Sequence, residues 1–275
     1  VTHHRIAPNR QVAAARALLA GVDVELPALA GYGELAELVD AGVVPEEVVD
    51  LAVRRVLRQK FELGLFDSPL VGQEAVTGAF GTAAGRELAR RAAAESIVLL
   101  TGAEVLSVDV GRLQRVAVVG PAADDPRLLL ADYHYPAHLE ISSGGDLSTL
   151  MPPVVTPLDG VREAVRGTGC EVVHATGCAV TGDDRSGVAA AVAAAEGADV
   201  AVVCLGGRSG LTTDATVGEM RDAVDLGLTG VQLDLLREVH ATGTTTVAVI
   251  VSGRAHTLAE VEEHSDATML AWVPG

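Results

Sequence analysis

The stretch GGRSGLTTDATVGEMRDAVDLGL, residues 206–228, sets Asp214, Glu219, Asp222 and Asp225 within a dozen positions, directly after an apolar run. A carboxyl group there has an obvious use: protonated, it can give its proton to a leaving oxygen, and ionised, it can take one from water. Asp222 and Asp225, three apart, could share a short helical face, and Asp214 has the surroundings of a turn residue. Glu219 follows Gly218, where a permissive backbone can bring a carboxyl to a bound ligand. On residue types and spacing alone, an acid catalyst and a solvated acidic loop both remain open.

A second concentration of chemistry is ADYHYPAHLE, residues 131–140, in a chain that is only 3% aromatic. Aromatic faces with hydroxyl edges suit a sugar ring, whose C–H face is apolar and whose hydroxyls need directional partners. Tyr133 and Tyr135 are candidates for that contact; the alternative is that they pin a loop to the protein body. His134 and His138 are four apart, but Pro136 between them argues against a helix that would turn both onto one metal, so no metal site is expected. The glycine turns VVGPAADDP and CLGGRSGLT fit neither GxGxxG nor GxxxxGK[ST], and Lys60 is the only lysine, so nucleotide binding is not expected. Their glycines suit tight strand-end turns or the close approach of an uncharged ligand. Cys170, Cys178 and Cys204 form no CxxC pair, and Cys204, inside AVVCLGG, reads as a buried strand residue. No cofactor is implied.

These groups must be held by a fold, and composition narrows which. The chain has 275 residues, 49% of them hydrophobic, enough for one large domain or two smaller ones. A net charge of −17 and a pI near 4.7 disfavour nucleic acid and anionic membrane as partners. No apolar run reaches the length of a membrane span. The opening VTHHRIAPNR carries no signal-peptide pattern, and neither secretion nor retention follows from that; His3 and His4 read as surface or cap residues.

Periodicity predicts a helix over 8–20 and a short strand at VDVEL (22–26), with Asp23 and Glu25 on one face. Helices follow in GELAELVDAG and PEEVVDLAVRRVLRQKFELGLF. Residues 67–85 lose periodicity and gain Gly and Pro, the character of a linker between domains at 1–66 and 86–275. Beyond it, RELARRAAAESIVLL reads as a helix. RVAVVG, EVVHA, ADVAVVCLG, TTVAVIVSG and DATMLAWVPG read as strands, with helices in VVTPLDGVREAV, SGVAAAVAAAEGA and TGVQLDLLREVHAT. Near-continuous Val/Ile/Leu strands alternating with helices predict an α/β fold with a mostly parallel sheet covered on both faces. In such sheets ligands meet the loops at the carboxyl ends of the strands, where GGRSG lies.

The strings AARALLAGVDVELP, VVPEEVVDLAVRRVLRQKFELGLFDSP, AAAESIVLL, VAVVGPAADDPRLLLADYHYPAHLE, VVTPLDGVR, GRSGLTTDATVGEMRD, VAVIVSGR and AWVPG, in order across the whole chain, resemble bacterial β-glucosidases and β-xylosidases of glycoside hydrolase family 3. The resemblance implies the last segment of a (β/α)8-type barrel over residues 1–66 and an α/β sandwich domain, incomplete at its C-terminus, over 86–275. It implies a retaining exo-β-glycosidase acting on β-linked oligosaccharides or aryl and alkyl glycosides, compatible with a homo-oligomer of the full-length enzyme. Glu219, a few residues before Asp225-Leu226, matches the family's acid/base glutamate. Arg208 and Ser209 match an Arg-Ser pair that shapes the loop or meets a sugar hydroxyl, and Tyr133 and Tyr135 a loop that lends an aromatic residue near the leaving-group sugar. The nucleophilic aspartate of a Ser-Asp-Trp or Ser-Asp-Tyr motif is found nowhere in the chain. A piece of a larger enzyme, inactive by itself, is therefore expected. Gly207, Ala223, Thr229 and Thr101-Gly102 depart from the family pattern, and the arginine missing at 223 bears on how the acidic loop is anchored. A non-catalytic, flavodoxin-like carbohydrate-binding or interaction module is the alternative.

Overall fold

A computed structural model of the chain describes residues 5–143 and 150–275, so His3 and His4 lie outside the described residues. The chain divides into two compact units, Val1–Thr82 and Ala83–Gly275.

The first unit is helical among its described residues. Helix α1 (Arg10–Leu19) starts two residues later than its Ala/Leu pattern suggests, because the Asn9 side chain caps it by accepting the Val12 N–H at 2.9 Å. Helix α2 (Leu35–Asp40) and helix α3 (Glu46–Glu62) follow, the latter with Glu46 and Glu47 in its first turn and Lys60 in its last, as the helix dipole favours. Ala15, Leu18, Val44 and Ala52 form a small buried cluster. The expected strand at 22–26 does not form. A strand needs a ladder partner, and this segment instead uses its polar groups locally. The Glu25 carboxylate accepts the Gly31 and Tyr32 N–H groups, the Tyr32 hydroxyl donates to the Val22 carbonyl, and Arg55 pairs with Asp23 at 2.9 Å. Leu26, Leu29 and Leu70 stay exposed. The stretch expected to be a plain linker contains helix α4 (Gln73–Ala79).

The second unit opens with helix α5 (Ala83–Ser96), which ends before IVLL; strand β1 (Val98–Thr101) takes over, where a continuous helix was expected. Strand β2 (Arg115–Val119) leads to helix α6 (Tyr135–Ser143), then to helix α7 (Pro157–Ala164) and strand β3 (Glu171–Ala175). The Thr156 hydroxyl accepts the Asp159 N–H at the start of α7, one half of a capping box that Asp159 completes. Helix α8 (Val188–Ala195), strand β4 (Val200–Gly206), helix α9 (Gln232–His240), strand β5 (Thr245–Val251), helix α10 (Ala259–Glu263) and strand β6 (Ala267–Trp272) complete the order.

The six strands lie in the order β1-β6-β5-β4-β2-β3, all parallel except β1, which runs antiparallel to β6 at one edge. Both faces are covered, which explains the unbroken apolar strands. Ala117, Val119, Val203 and Leu205 join Ala191, Leu235, Leu236 and Val239 of α8 and α9 in one cluster. The alternate residues Val116, Val118 and Cys204 pack with Leu128, Leu129 and Leu158 on the other face. Burial of Cys204 pushes its thiol up to about 12, and Cys178 rises to about 11 for the same reason, so neither supplies a thiolate at neutral pH. Among the described residues no helix is long and apolar enough to cross a membrane.

Read from β3, the parallel part runs β3-β2-β4-β5-β6, the doubly wound order in which successive connections part company between β2 and β4. Beyond the carboxyl ends of those two strands lies the crevice where such folds take ligands. The loop after β2 carries Asp132 and Tyr133, and the loop after β4 carries Ser209 and Glu219.

Candidate active site

Strand β4 ends against its neighbour. Gly206 adopts φ +145°, and a Cβ there would sit 1.8 Å from the Val251 carbonyl oxygen, so the turn out of the strand requires glycine. The buried Gln232 side chain seals this end, accepting the Gly206 N–H at 2.8 Å and donating to the Gly206 carbonyl at 2.9 Å. Gly206 therefore answers to backbone packing, whereas a Cβ at Gly207 would meet the Val217 and Thr216 side chains at 2.5 and 2.9 Å.

From there the chain closes on itself. Ser209 bridges Val217, the Gly210 N–H donates to the Val217 carbonyl at 3.1 Å, and the Thr216 and Val217 N–H groups both donate to the Arg208 carbonyl. Inside the ring, Arg208 lies 3.4 Å from Glu140, and its Nε is 3.1 Å from Asp214 Oδ2, an ion pair without hydrogen-bond alignment. Asp214 is the turn residue expected, its carboxyl held below the usual range by the Thr212 hydroxyl and then by Arg208. Glu140 is also gripped by the buried Arg127 through two hydrogen bonds of 2.8 and 2.9 Å, which hold its carboxyl low against the opposing effect of burial.

Glu219 stands at the exit of this ring, exposed, with Met220 after it in a left-handed conformation, φ +58°. Its carboxylate Oε2 accepts a 2.6 Å hydrogen bond from the Tyr133 hydroxyl, and its main-chain N–H donates to Asp132 Oδ2 at 2.8 Å. That contact and the Glu219 charge raise the Tyr133 phenol, keeping it a donor. Beside the pair opens a pocket of about 410 Å³ lined by Asp132, Tyr133, Ser209, Val217, Gly218 and Arg254, among others. The Arg221 guanidinium holds the Leu211 and Thr212 carbonyls, and Arg254 donates to the Arg221 carbonyl. The loop is thus anchored without an arginine at 223.

Several sequence expectations change here. Asp222 and Asp225 lie on irregular backbone, so they share no helical face; Asp225 instead accepts the Gly227 N–H. Pro136 does not prevent a helix, because it falls in the first turn of α6, where its missing N–H costs nothing. His138 then accompanies the His134 carbonyl at 3.4 Å, and among the described residues no cluster of metal-binding side chains forms. Tyr135 opens α6, 72% exposed and outside the pocket lining. Arg208 is committed to carboxylates of its own chain. Asp132, which the residue pattern did not single out, joins the two loops.

The second unit is a doubly wound α/β domain that presents a tyrosine-bound glutamate from the loop after a central strand. Residues 97–275 match the model of the glycosyl hydrolase family 3 C-terminal domain, and the chain belongs to glycoside hydrolase family 3. It is 31% identical to a β-xylosidase of Formosa agariphila, over all of this chain and 37% of that protein. A lysosomal β-glucosidase of Dictyostelium discoideum is also 31% identical, over 33% of its length. Among solved structures, a β-glucosidase from Erythrobacter marinus superposes with a TM-score of 0.77 at 32% identity, covering all of this chain and 38% of that one. One from Listeria innocua in complex with glucose gives 0.74 at 29%, covering 99% of this chain and 34% of that one. The chain thus spans little more than a third of the relatives it matches.

Proposed function

We propose that the chain is the acid/base-bearing part of a retaining exo-β-glycosidase that removes terminal β-D-glucosyl or β-D-xylosyl residues. The observation that carries this is Glu219, fixed at main chain and carboxylate at the ligand edge of a family 3 domain. With Tyr133 donating to Oε2, the acid proton belongs on Oε1. In the first half-reaction an aspartate outside this chain attacks the anomeric carbon, the glycosidic C–O bond breaks, and Glu219 transfers its proton to the departing oxygen. In the second, Glu219 takes a proton from water as the water oxygen attacks the anomeric carbon and releases the aspartate. Tyr133 is the sugar-facing residue of this reading, Tyr135 lying outside the pocket lining, and Arg208 shapes the loop.

The coverage of relatives supports the reading of residues 1–66 as a barrel's last segment, joined through 67–85 to the sandwich domain at 86–275. So does the apolar surface of the first unit, where Val22, Val24 and Leu26 line an open groove of about 510 Å³. By itself such a chain lacks a nucleophile and should not turn over. β-Glucosidase structures containing glucose and laminaribiose are the basis for the substrate class.

The test is Glu219→Ala in the full-length protein. Hydrolysis of alkyl glycosides should fall 10²- to 10⁴-fold. Activated aryl glycosides, whose leaving groups need no proton, should lose far less, and azide should accelerate their turnover by attacking the glycosyl-enzyme. A loss within about tenfold on alkyl glycosides, without azide acceleration, removes Glu219 from the role and leaves the non-catalytic binding module.

A further inference from the structure

The side chain that decides where Glu219 stands is Asp132. It is 6% exposed, and among the described residues neither an arginine nor a lysine pairs with it. A carboxylate removed from water without a cation is costly unless its oxygens are well occupied. Both are: Oδ1 accepts from the hydroxyl of the buried Ser209, and Oδ2 accepts the Glu219 N–H at 2.8 Å. The two donors stand at the entrance and exit of the closed loop, so one carboxylate fixes the loop's ends to the strand β2 side of the crevice. The backbone is shaped around it. Gly218 holds φ +118°, and a Cβ there would lie 2.4 Å from Asp132 Oδ2. Tyr133, the next residue, then reaches the Glu219 carboxylate.

We infer that Asp132 is a positioning residue for Glu219: it sets the main-chain position from which Tyr133 orients the carboxyl, and it acts on proton transfer through Glu219. The inference rests on the acid/base reading of Glu219.

The chemistry of asparagine gives a specific test. In Asp132→Asn the amide oxygen can still accept the Glu219 N–H, while the amide nitrogen donates to Ser209, whose hydroxyl can turn to accept. In Asp132→Ala neither contact survives, and the Glu219 N–H loses its partner. In the full-length protein, Asp132→Ala should lower kcat on alkyl glycosides at least 30-fold with little change in KM, and lower it on activated aryl glycosides by less than fivefold. Asp132→Asn should recover most of that loss. Ser209→Ala, which keeps the Glu219 contact, should show a smaller loss with the same leaving-group dependence. Equal losses on both substrate types, or no loss, would overturn the inference, as would Asn behaving like Ala. If Asp132→Ala does not fold, Ser209→Ala decides: an alkyl-selective loss supports positioning, and a uniform loss or none refutes it. Glu219→Ala run in parallel separates the two ideas. A Glu219→Ala variant that fails its own azide test sinks the acid/base reading, whereas one that passes while Asp132→Ala loses uniformly sinks only the role of Asp132.

Discussion

Tyr133 and Glu219 form a pair whose partners report on each other. Because the phenol donates to Glu219 Oε2, ionising it would place two negative charges in contact; the hydrogen bond and then the Glu219 charge raise the phenol above its ordinary value of 10. Spectrophotometric titration of the chain should therefore show Tyr133 and Tyr32 ionising late, and Glu219→Gln should bring only the Tyr133 midpoint down, since an amide removes the charge. Tyr32, raised mainly by burial, should not respond, which makes it an internal control. A Tyr133 midpoint unmoved by Glu219→Gln would mean that the pair does not form in solution. The measurement needs no turnover and so applies to this chain as it stands.

At the scale of elements, the Arg127–Glu140 pair ties the segment after β2 to α6, and Arg208 ties both to the loop after β4. Arg127→Met should cost about 3 kcal/mol, because it leaves a largely buried carboxylate with only the longer Arg208 contact, and Arg127→Met with Glu140→Leu should cost less than the single change. Glu140 is held below its ordinary 4.5, chiefly by the Arg127 hydrogen bond. Its stabilising contribution is thus complete above that pH and fades as pH falls through the folded-state value. Denaturant titrations across the acid range should show a shallower decline for Arg127→Met than for the parent chain.

Elements also show what sequence could and could not reveal. Strands β2 to β6 were legible because two-sided burial writes itself as unbroken Val, Ile and Leu. Strand β1 was not, since ESIVLL continues a helix without a change of hydrophobicity, and only the partner β6 decides its state. VDVEL has strand composition, but among the described residues no strand pairs with it. Pro136 between two histidines suggests a break, yet its place in the first turn of α6 makes it harmless. At the site, family resemblance picked out Glu219, and Tyr133 followed from aromatic chemistry. Asp132 stayed hidden because one acid beside two tyrosines acquires meaning only when a segment about 80 residues away is folded against it.

For the molecule as a whole, the strand order has a consequence in time. Glu219 is held by Asp132 and Tyr133 from 87 and 86 residues earlier in the chain, and the Ser209 contact spans 77. None of these can close until β2 has paired with β4 past the whole intervening β3 excursion, and such long closures come late in folding. In pulsed hydrogen-exchange refolding of this chain, the Val202 and Val203 amides should gain protection before the Glu219 amide; simultaneous protection would argue against a late-forming latch. The assembly order acts as a checkpoint: a nascent or partly unfolded chain has its sheet before Glu219 is fixed, so the geometry proposed for proton transfer certifies that the core is already complete.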